Sequence, residues 1–402
     1  MKDHVYRNTL YQRKPLKETD AGTVKDLTRI FSYRKHLGNE TYYQDYVHFF
    51  EHEISELGYQ AVLQKYLVGD NDLSYDMLPR MFMGYVHSMM HVGMGLEYKQ
   101  PKILAEGFAQ AVVHHDYWYT DFLHQAEDLG KKGEESALSM VECVDLAAQH
   151  PIVKTCSTYD YQRQFEGEGE KRTFVMRKEM IKDGVCGKGF EPLKVIAARY
   201  RVDPNDLERE TAALINAACF LVHACQFPPH ECRPDFFLMH GSNVSIWLSV
   251  FLAEPSLSPS QKARLIEYTG RTILMLYAGM GCPDPRMEWV MCQKPVIPES
   301  ANSWPVVLKR ATEHPDDGHM SKLIRVTAHC QQISKKYDHL PEFRMKQDMF
   351  LPAANASLDG LFTTNNGQPM SGTIHWLFVR GCGWPEAWAN VPELPIDRRI
   401  LK

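Results

Sequence analysis

Helical spacing of apolar residues is the feature that most restricts the fold of this 402-residue chain. In "YYQDYVHFFEHEISELG" (residues 42–58) and "ETAALINAACFLVHACQF" (residues 210–227), apolar residues recur every three or four positions. Regular alternation over five or more positions, which indicates a strand, is almost absent from the sequence. The exception is residues 171–190, where a charged lead-in and a glycine-rich exit permit a short hairpin. The sequence therefore predicts a mainly α protein with at most a short β-hairpin.

Two punctuated segments interrupt the helical pattern, at residues 155–192 and 283–318. The first is polar and contains glycines, and the second contains six prolines, which forbid long helices. Either segment could be a linker between domains, but linkers are usually poor in large apolar residues and these contain Phe174, Trp289 and Trp304. We therefore predict long loops that pack on one multi-helix domain spanning residues 1–402.

Composition excludes several functional classes. With 44% hydrophobic and 24% charged residues and a net charge of −5, the chain resembles an ordinary globular protein and has no electrostatic footprint for nucleic acid or anionic lipid. The N-terminal residues have no apolar h-region, which predicts a cytoplasmic protein. The most apolar window, residues 236–255, is broken by polar residues and reads as a core helix rather than a membrane span. The ten cysteines include no CxxC pair, which favours reduced, buried thiols.

The common nucleotide-binding signatures are missing. The segment "GMGLEY" from Gly93 has a GxG, but Tyr98 stands where a third glycine belongs and the segment follows a helix rather than a strand. Neither a GxxxxGK[ST] motif nor a GxSxG elbow occurs. The sequence therefore does not show where a nicotinamide or flavin cofactor would bind.

Histidines are the most informative candidate site residues. His87 and His91 are four positions apart, so on one helix they share a face and could reach a metal or an aromatic ligand, although such pairs also arise by chance. His240 lies inside an apolar helix, and His319 precedes Lys322 by one turn. Lys322 could equally be a solvated residue that pairs with an acidic neighbour.

For some residues the structural interpretation is preferred. His223 and His329 each stand in an apolar helical pattern, where a bonded core histidine is commoner than a ligand. Gly84, Gly93 and Gly95 each cost a helix about 1 kcal/mol relative to alanine, which suggests close helix packing or space for a ligand, with packing preferred. Five methionines between residues 81 and 94 suit either a flat hydrophobic ligand or a core.

Several segments taken in order resemble the questin oxidase-like family. They are "YRNTLYQRKPL", "HLGNETYYQDYVHFFEHEISELG", "RMFMGYVHSMMHVGMGLEYKQPKILAEGFAQA", "DFFLMHGSNVSIWLSVFL", "RTILMLYAGMG", "DDGHMSKLIR" and the closing "GWPEAWANVPEL". The likeness runs from Tyr6 to about Leu394, and the ordered set of motifs is much more specific than any one of them.

The resemblance implies an oxidoreductase that opens a ring of a polycyclic, anthraquinone-like aromatic substrate with dioxygen. Such enzymes have been described as NADPH-dependent and Baeyer–Villiger-like, and some relatives look like non-haem-iron oxygenases. Without a flavin fingerprint, an Fe(II) site explains the histidines better than NADPH alone. Two alternatives remain: an NADPH-dependent oxidase whose histidines act as general acids and bases, and a catalytically lapsed protein that binds a hydrophobic ligand. The oligomeric state and the identity of the substrate remain open.

Carried over residue by residue, the family motifs imply the site. The "HxGxGxE" segment falls on His91, Gly93, Gly95 and Glu97, the "DFFLMH" segment on Asp235 to His240, and the "DxHxxK" segment on Asp317, His319 and Lys322. We expect His91, His240 and His319 to bind the metal, and Lys322, His87 and Glu97 to be the catalytic candidates. Lys322 would either be carbamylated and bind the metal or orient an oxyanion.

One departure concerns the N-terminus. Relatives commonly begin with a His-containing helix before the "YxxNxxYQR" motif, which here starts at Tyr6. We therefore expect that His4 or another residue replaces a ligand from that helix, or that the sequence reflects an altered site, lost activity or an incomplete gene model.

Overall fold

The computed structural model describes residues 34–114, 117–159, 165–166, 173–174, 177–298, 302–314, 316, 318–360 and 378–400. The expectations for His4, for the motif at Tyr6 and for Asp317 lie outside these residues.

Eight helices make up the first part of the described chain. They are α1 (Tyr43–Leu57), α2 (Tyr59–Leu63), α3 (Asp72–Arg80), α4 (His87–Glu97), α5 (Pro101–Val113), α6 (Tyr117–Lys132), α7 (Met140–Gln149) and α8 (Pro151–Thr155). A π-helical turn, Gln64–Val68, follows α2, and short 3-10 turns lie at Glu40–Tyr42 and Gly84–Val86.

Nine more helices follow a two-residue hairpin. The hairpin pairs β1 (Phe165–Glu166) with β2 (Thr173–Phe174) in antiparallel fashion. The helices are α9 (Phe190–Arg199), α10 (Leu207–Ala224), α11 (Phe236–Ser245), α12 (Leu248–Ala253), α13 (Pro259–Gly279), α14 (Met287–Met291), α15 (Trp304–Glu313), α16 (His319–Ser334) and α17 (Phe350–Gly360). Short 3-10 turns lie at Lys335–Tyr337, Pro385–Trp388 and Ile396–Arg398. The prediction of a mainly α protein is confirmed.

The segments predicted as long loops contain more helix than expected. Within residues 155–192, Arg177–Lys188 form a π-helix whose Met180, Ile181 and Val185 are buried, and α9 begins at Phe190. Within residues 283–318, α14 and α15 are short, as the prolines require, and Pro305 lies in the first turn of α15. Apolar side chains that anchor these segments on the body explain why they are ordered.

The helix expected over the most apolar window is divided in two. The hydroxyl of Ser245 donates to the carbonyl of Ser242 at 2.7 Å, which competes with the helical ladder where α11 ends. By length and composition Phe236–Ala253 could cross a membrane, but 72% of it is buried inside the protein, as in a core helix.

Close helix packing explains two glycines of the first motif. A Cβ on Gly93 would lie 2.5 Å from side-chain atoms of Trp247, and one on Gly95 would lie 2.7 Å from the backbone nitrogen of Leu104. Both glycines belong to α4, so the GxG is part of a helix and not a nucleotide loop. This agrees with the interpretation from sequence.

Helix α11 is central to the part of the fold that carries the histidines. It contacts α4, α10, α13 and α16, and it also touches the Gly84–Val86 turn. Its residues 237–245 are all buried. Side chains on α4, α11 and α16 therefore meet in the interior.

Candidate metal centre

Three histidines from three helices come together. His87 begins α4, His240 lies in the middle of α11 and His319 begins α16. One ring nitrogen of each lies within 4.8 Å of the other two, and no other set of His, Cys, Asp or Glu residues in the described part of the chain forms such a cluster. Imidazole nitrogens bind metal ions at about 2.0–2.1 Å, so three nitrogens this close together could share one ion with little movement.

The protonation of His240 is determined by its backbone contact. Its Nδ1 lies 2.6 Å from the carbonyl oxygen of Phe236, which can only accept, so Nδ1 carries the proton and donates. Its Nε2 therefore bears a lone pair, and this buried atom has no hydrogen-bond partner among the described residues. A histidine that donates one ring N–H to a carbonyl and leaves the other nitrogen open is oriented as metal ligands usually are.

Charge and burial keep two of these histidines neutral. Burial, helped by the positive charge of Lys322 and by neighbouring histidines, lowers the pKa of His87 to about 3. Burial lowers the pKa of His240 well below its ordinary value, and His87, His319 and Lys322 add to the effect. Both imidazoles are therefore unprotonated near pH 7, which is the form that binds a metal ion.

An unusual backbone turn positions His87 at the start of α4. Gly84, Tyr85 and Val86 all have positive φ, at 55°, 59° and 60°, and α4 begins directly after them. A β-branched residue such as Val86 rarely adopts this conformation, because its Cβ approaches the following carbonyl oxygen. Gly84 also admits the ring of His114, whose Nε2 would lie 2.3 Å from a Cβ at that position.

Aromatic rings line one side of the cluster. The ring of Phe236 lies 4.5 Å from that of His240 and 5.4 Å from that of His319, measured between centroids. Phe378 lies 5.9 Å from His319, and Tyr85 lies 5.6 Å from His240. These rings form an aromatic wall beside the imidazoles, and the guanidinium of the buried Arg380 lies 4.3 Å from the centre of the Phe236 ring.

Asp235 holds two parts of the site together. Its buried carboxylate accepts backbone N–H bonds from Phe237 and Leu238, at 2.8 and 3.1 Å, and so caps α11. The other carboxylate oxygen accepts from Gly381 and Cys382, at 2.7 and 3.1 Å. Asp235 therefore joins the helix of His240 to the segment that carries Phe378.

The structure places the predicted site residues differently from the sequence expectation in two cases. His91 is outside the cluster, because its Nδ1 bonds the carbonyl of His87 at 2.9 Å and His87 occupies the position expected for His91. Glu97 lies at the end of α4 and forms an ion pair with Arg325 of α16 at 2.5 Å, also away from the cluster. His240 and His319 are brought together as expected.

Two further polar residues, Lys322 and Asp316, lie in or just before α16. Lys322 lies one turn after His319 and close enough to lower the pKa values of His87 and His240. Asp316 lies just before α16 and accepts N–H bonds from Gly318 and Met320 at 3.1 and 2.8 Å.

Two further histidines are core residues, as the sequence favoured. His223 bonds Ser357 and Thr327 through its two ring nitrogens, at 3.0 and 2.9 Å. His329 bonds Ser249 at 2.8 Å. Neither belongs to the three-histidine cluster.

No sequence pattern indicates a role for Tyr85 or Phe378, and Asp235 stands out in the sequence only as part of a motif. The aspartate directly before an apolar helix is an N-cap signal that could have identified it. The aromatic residues come from segments distant in sequence, so no local pattern indicates them.

Comparisons with known proteins agree with the motif resemblance. The family model described as Questin oxidase-like matches residues 2–327. The chain is 28% identical to a questin oxidase from Aspergillus fumigatus over 386 residues, which cover 94% of this chain and 81% of that protein. It is also 28% identical to a Baeyer-Villiger oxidase from Pestalotiopsis fici, with 95% and 81% covered. An oxidoreductase from Aspergillus parasiticus is 27% identical, with 90% and 74% covered.

Proposed function

The chain belongs to the questin oxidase-like family of oxidoreductases, and from that premise we propose that it is an oxygenase whose His87, His240 and His319 bind a non-haem metal ion. Its substrate would be a polycyclic aromatic molecule of the anthraquinone kind, and dioxygen the oxidant. The observation that carries the proposal is the buried Nε2 of His240, which has no partner in the described part of the chain and belongs to an imidazole that the carbonyl of Phe236 orients.

The donor set suits iron. Three imidazoles leave coordination positions open, and imidazole is a common ligand of Fe(II) in oxygenases. A bound Fe(II) would supply a place for dioxygen to be activated beside the substrate. The protein itself would hold the three nitrogens in place. The rings of Phe236 and Phe378 would exclude water and stack against the flat substrate.

Lys322 has two possible roles at this site. As an ammonium group it would stabilise a substrate oxyanion by charge, since it lies close enough to influence His87 and His240. As a carbamate it would supply a carboxylate-like ligand one turn from His319. A Lys322→Met variant separates the two, because only the second role reduces the amount of metal bound.

The second candidate is an NADPH-dependent Baeyer–Villiger-like oxidation without a tightly bound metal. The printed names of several relatives support it. In that case the histidines would act as general acids or bases, which work best with a pKa near the working pH. The pKa of His87, lowered to about 3 by burial and neighbouring charge, makes it a weak base and favours the metal.

Metal analysis of variants tests the proposal. After anaerobic reconstitution with Fe(II) and removal of free ions, we expect about one iron per wild-type chain by mass spectrometry. His87→Ala and His240→Ala should lose it, because each removes one of only three imidazoles. His91→Ala is the matched control, since it removes a histidine of the same helix that lies outside the cluster.

Two results would contradict the metal site. One is a wild-type protein that retains no iron, zinc or manganese, and the other is loss of metal in His91→Ala with retention in His87→Ala. Hydroxyanthraquinone-stimulated oxidation of NADPH by metal-free protein would favour the second candidate.

A further inference from the structure

Asn243 is a buried amide whose hydrogen bonds are not completed within the described ranges of the chain. It lies on α11, is 3% exposed, and neither its Oδ1 nor its Nδ2 has a hydrogen-bond partner among the described residues. Burying a polar group unbonded is unfavourable, and such groups are rare in folded proteins. The amide therefore calls for a ligand that completes its bonds.

Another buried asparagine shows the ordinary arrangement. Asn216 on α10 donates through Nδ2 to Ser334 and to the carbonyl of Met345, at 3.2 and 2.9 Å. Its Oδ1 accepts from the backbone nitrogen of Met345 at 3.0 Å. The core of this protein therefore satisfies a buried amide fully where the amide is structural, and Asn243 differs.

Helical spacing places Asn243 on the face of α11 that carries the site. Phe236, His240, Asn243 and Trp247 are separated by four, three and four residues, so they form one stripe. At the level of His240, this stripe meets His87 and His319. Trp247 meets α4 again, where a Cβ on Gly93 would lie 2.5 Å from its side chain. It also meets α16, where the guanidinium of Arg325 lies 5.1 Å from its ring.

Ile246 and Trp247, which follow α11, keep right-handed helical backbone angles and so continue the stripe. Asn243 therefore lies between two levels, at His240 and at Trp247, at which the stripe meets both α4 and α16. Because the contacts advance in the same order along all three helices, the segments of α4 and α16 that follow His87 and His319 pass this level. The amide is one turn along α11 from His240, within the length of a small polycyclic aromatic molecule, at about 1.5 Å of rise per residue.

The bonding capacity of the amide defines the ligand. Oδ1 accepts a hydrogen bond and Nδ2 donates one, so the complement is a group with a donor and an acceptor side by side. Two adjacent ring hydroxyls have that pattern, because one can donate to Oδ1 while the other accepts from Nδ2, and the stripe places the amide beside the aromatic wall that begins at Phe236. We propose that the Asn243 carboxamide binds the edge of an aromatic substrate that carries two adjacent hydroxyls and is held beside the three histidines, an assignment that rests on the proposed function.

Stability and ligand affinity should move in opposite directions when the amide is removed. Asn243→Leu replaces it with an apolar group of similar size, which removes two unbonded polar atoms, so the melting temperature should stay the same or rise. The dissociation constant for 2,3-dihydroxyanthraquinone, whose hydroxyls lie away from the ring carbonyls, should rise about tenfold or more when measured by fluorescence titration of metal-free protein. Anthraquinone, which lacks the hydroxyls, should lose less affinity.

Asn216→Leu is the matched control. It removes an amide that is fully bonded, so the melting temperature should fall while the affinity for 2,3-dihydroxyanthraquinone stays within about threefold of the wild type. A merely structural Asn243 would behave as Asn216 does.

Three results would overturn the assignment: a lower melting temperature for Asn243→Leu, unchanged affinity for the hydroxylated probe, or no binding of that probe to the wild type. Metal content is measured without the probe, so failure of the metal site is seen separately from failure of the amide.

Discussion

Removing the carboxylate of Asp235 should damage both the stability and the metal site, because one side chain serves both. In Asp235→Ala, four backbone N–H groups lose their acceptor: those of Phe237 and Leu238 at the start of α11, and those of Gly381 and Cys382. Asp235 is fully buried, so water does not readily replace it.

The magnitude follows from these four bonds. Loss of an N-cap costs about 0.5–2 kcal/mol. Each of the other two buried N–H groups costs about 1–3 kcal/mol when left unbonded. Burial raises the pKa of Asp235 in spite of the N–H bonds, so the carboxylate carries a desolvation penalty that its removal relieves. We therefore expect a loss near the low end of the sum, about 3 kcal/mol in the free energy of unfolding.

Urea unfolding followed by circular dichroism at 222 nm measures this loss as a shift of the midpoint. Ser139→Ala is the matched control, because Ser139 is also an N-cap, in the capping box of α7, and is distant in sequence from Asp235. Its hydroxyl accepts only one helical N–H bond, from Glu142. It should cost about 1 kcal/mol. Cobalt titration of the same proteins should show weaker binding in Asp235→Ala and no change in Ser139→Ala.

If Asp235→Ala lost no more stability than Ser139→Ala, the bonds to Gly381 and Cys382 would contribute nothing. Asp235 would then act only as a helix cap, which would refute its proposed double role. Should Asp235→Ala fail to fold, Asp235→Asn retains one acceptor oxygen. It is expected to show a smaller loss of stability of the same kind.

Two further predictions concern the scaffold. The Arg264 guanidinium and the Tyr268 hydroxyl bond the carboxylate of Glu127 and outweigh its burial, lowering its pKa to about 2. This pKa is lower than that of a glutamate in the unfolded chain, which is about 4.3. The bonds to Glu127 therefore stabilise the folded protein by about 3 kcal/mol above about pH 4.5, and this stabilisation is lost as the pH falls towards 2. Glu127→Gln should therefore lower the urea midpoint at pH 7 and flatten its decline below pH 5; an unchanged decline would contradict this. Gly93→Ala should cost about 1–3 kcal/mol, because its Cβ would overlap Trp247, and an unchanged melting temperature would contradict the close packing of α4 on α11.

Much of the fold could be predicted because burial imposes a simple period on the sequence. Helices α1 and α10 place Tyr46, Phe50 and Leu214 in the core at the spacing that the sequence shows. The π-helix at Arg177–Lys188 could not be predicted in this way. Its buried Met180, Ile181 and Val185 recur at helical spacing, but Gly184 and Gly187 disfavour a regular helix, and tertiary packing determines its conformation.

The candidate site was predicted in part, for a physical reason. His240 and His319 stand in helices whose positions follow from apolar spacing. The choice between His87 and His91 depends on where α4 begins and how it is rotated, and both are determined by the left-handed turn before it. Tyr85 and Val86 have no preference for that conformation, so their sequence gives no sign of it.

The turn at Gly84–Val86 also bears on how the protein can change over evolutionary time. Left-handed conformations at Tyr85 and Val86 cost about 1–2 kcal/mol each, a sizeable part of the about 5–15 kcal/mol that separates a folded protein from its unfolded state. Relaxation to right-handed geometry would start α4 a turn earlier and leave His87 inside a helix rather than at its beginning. The contacts of the neighbouring side chains must therefore offset this cost for the turn to keep the histidines assembled. Substitutions that never touch a histidine could thus disassemble the cluster while leaving the helical body intact.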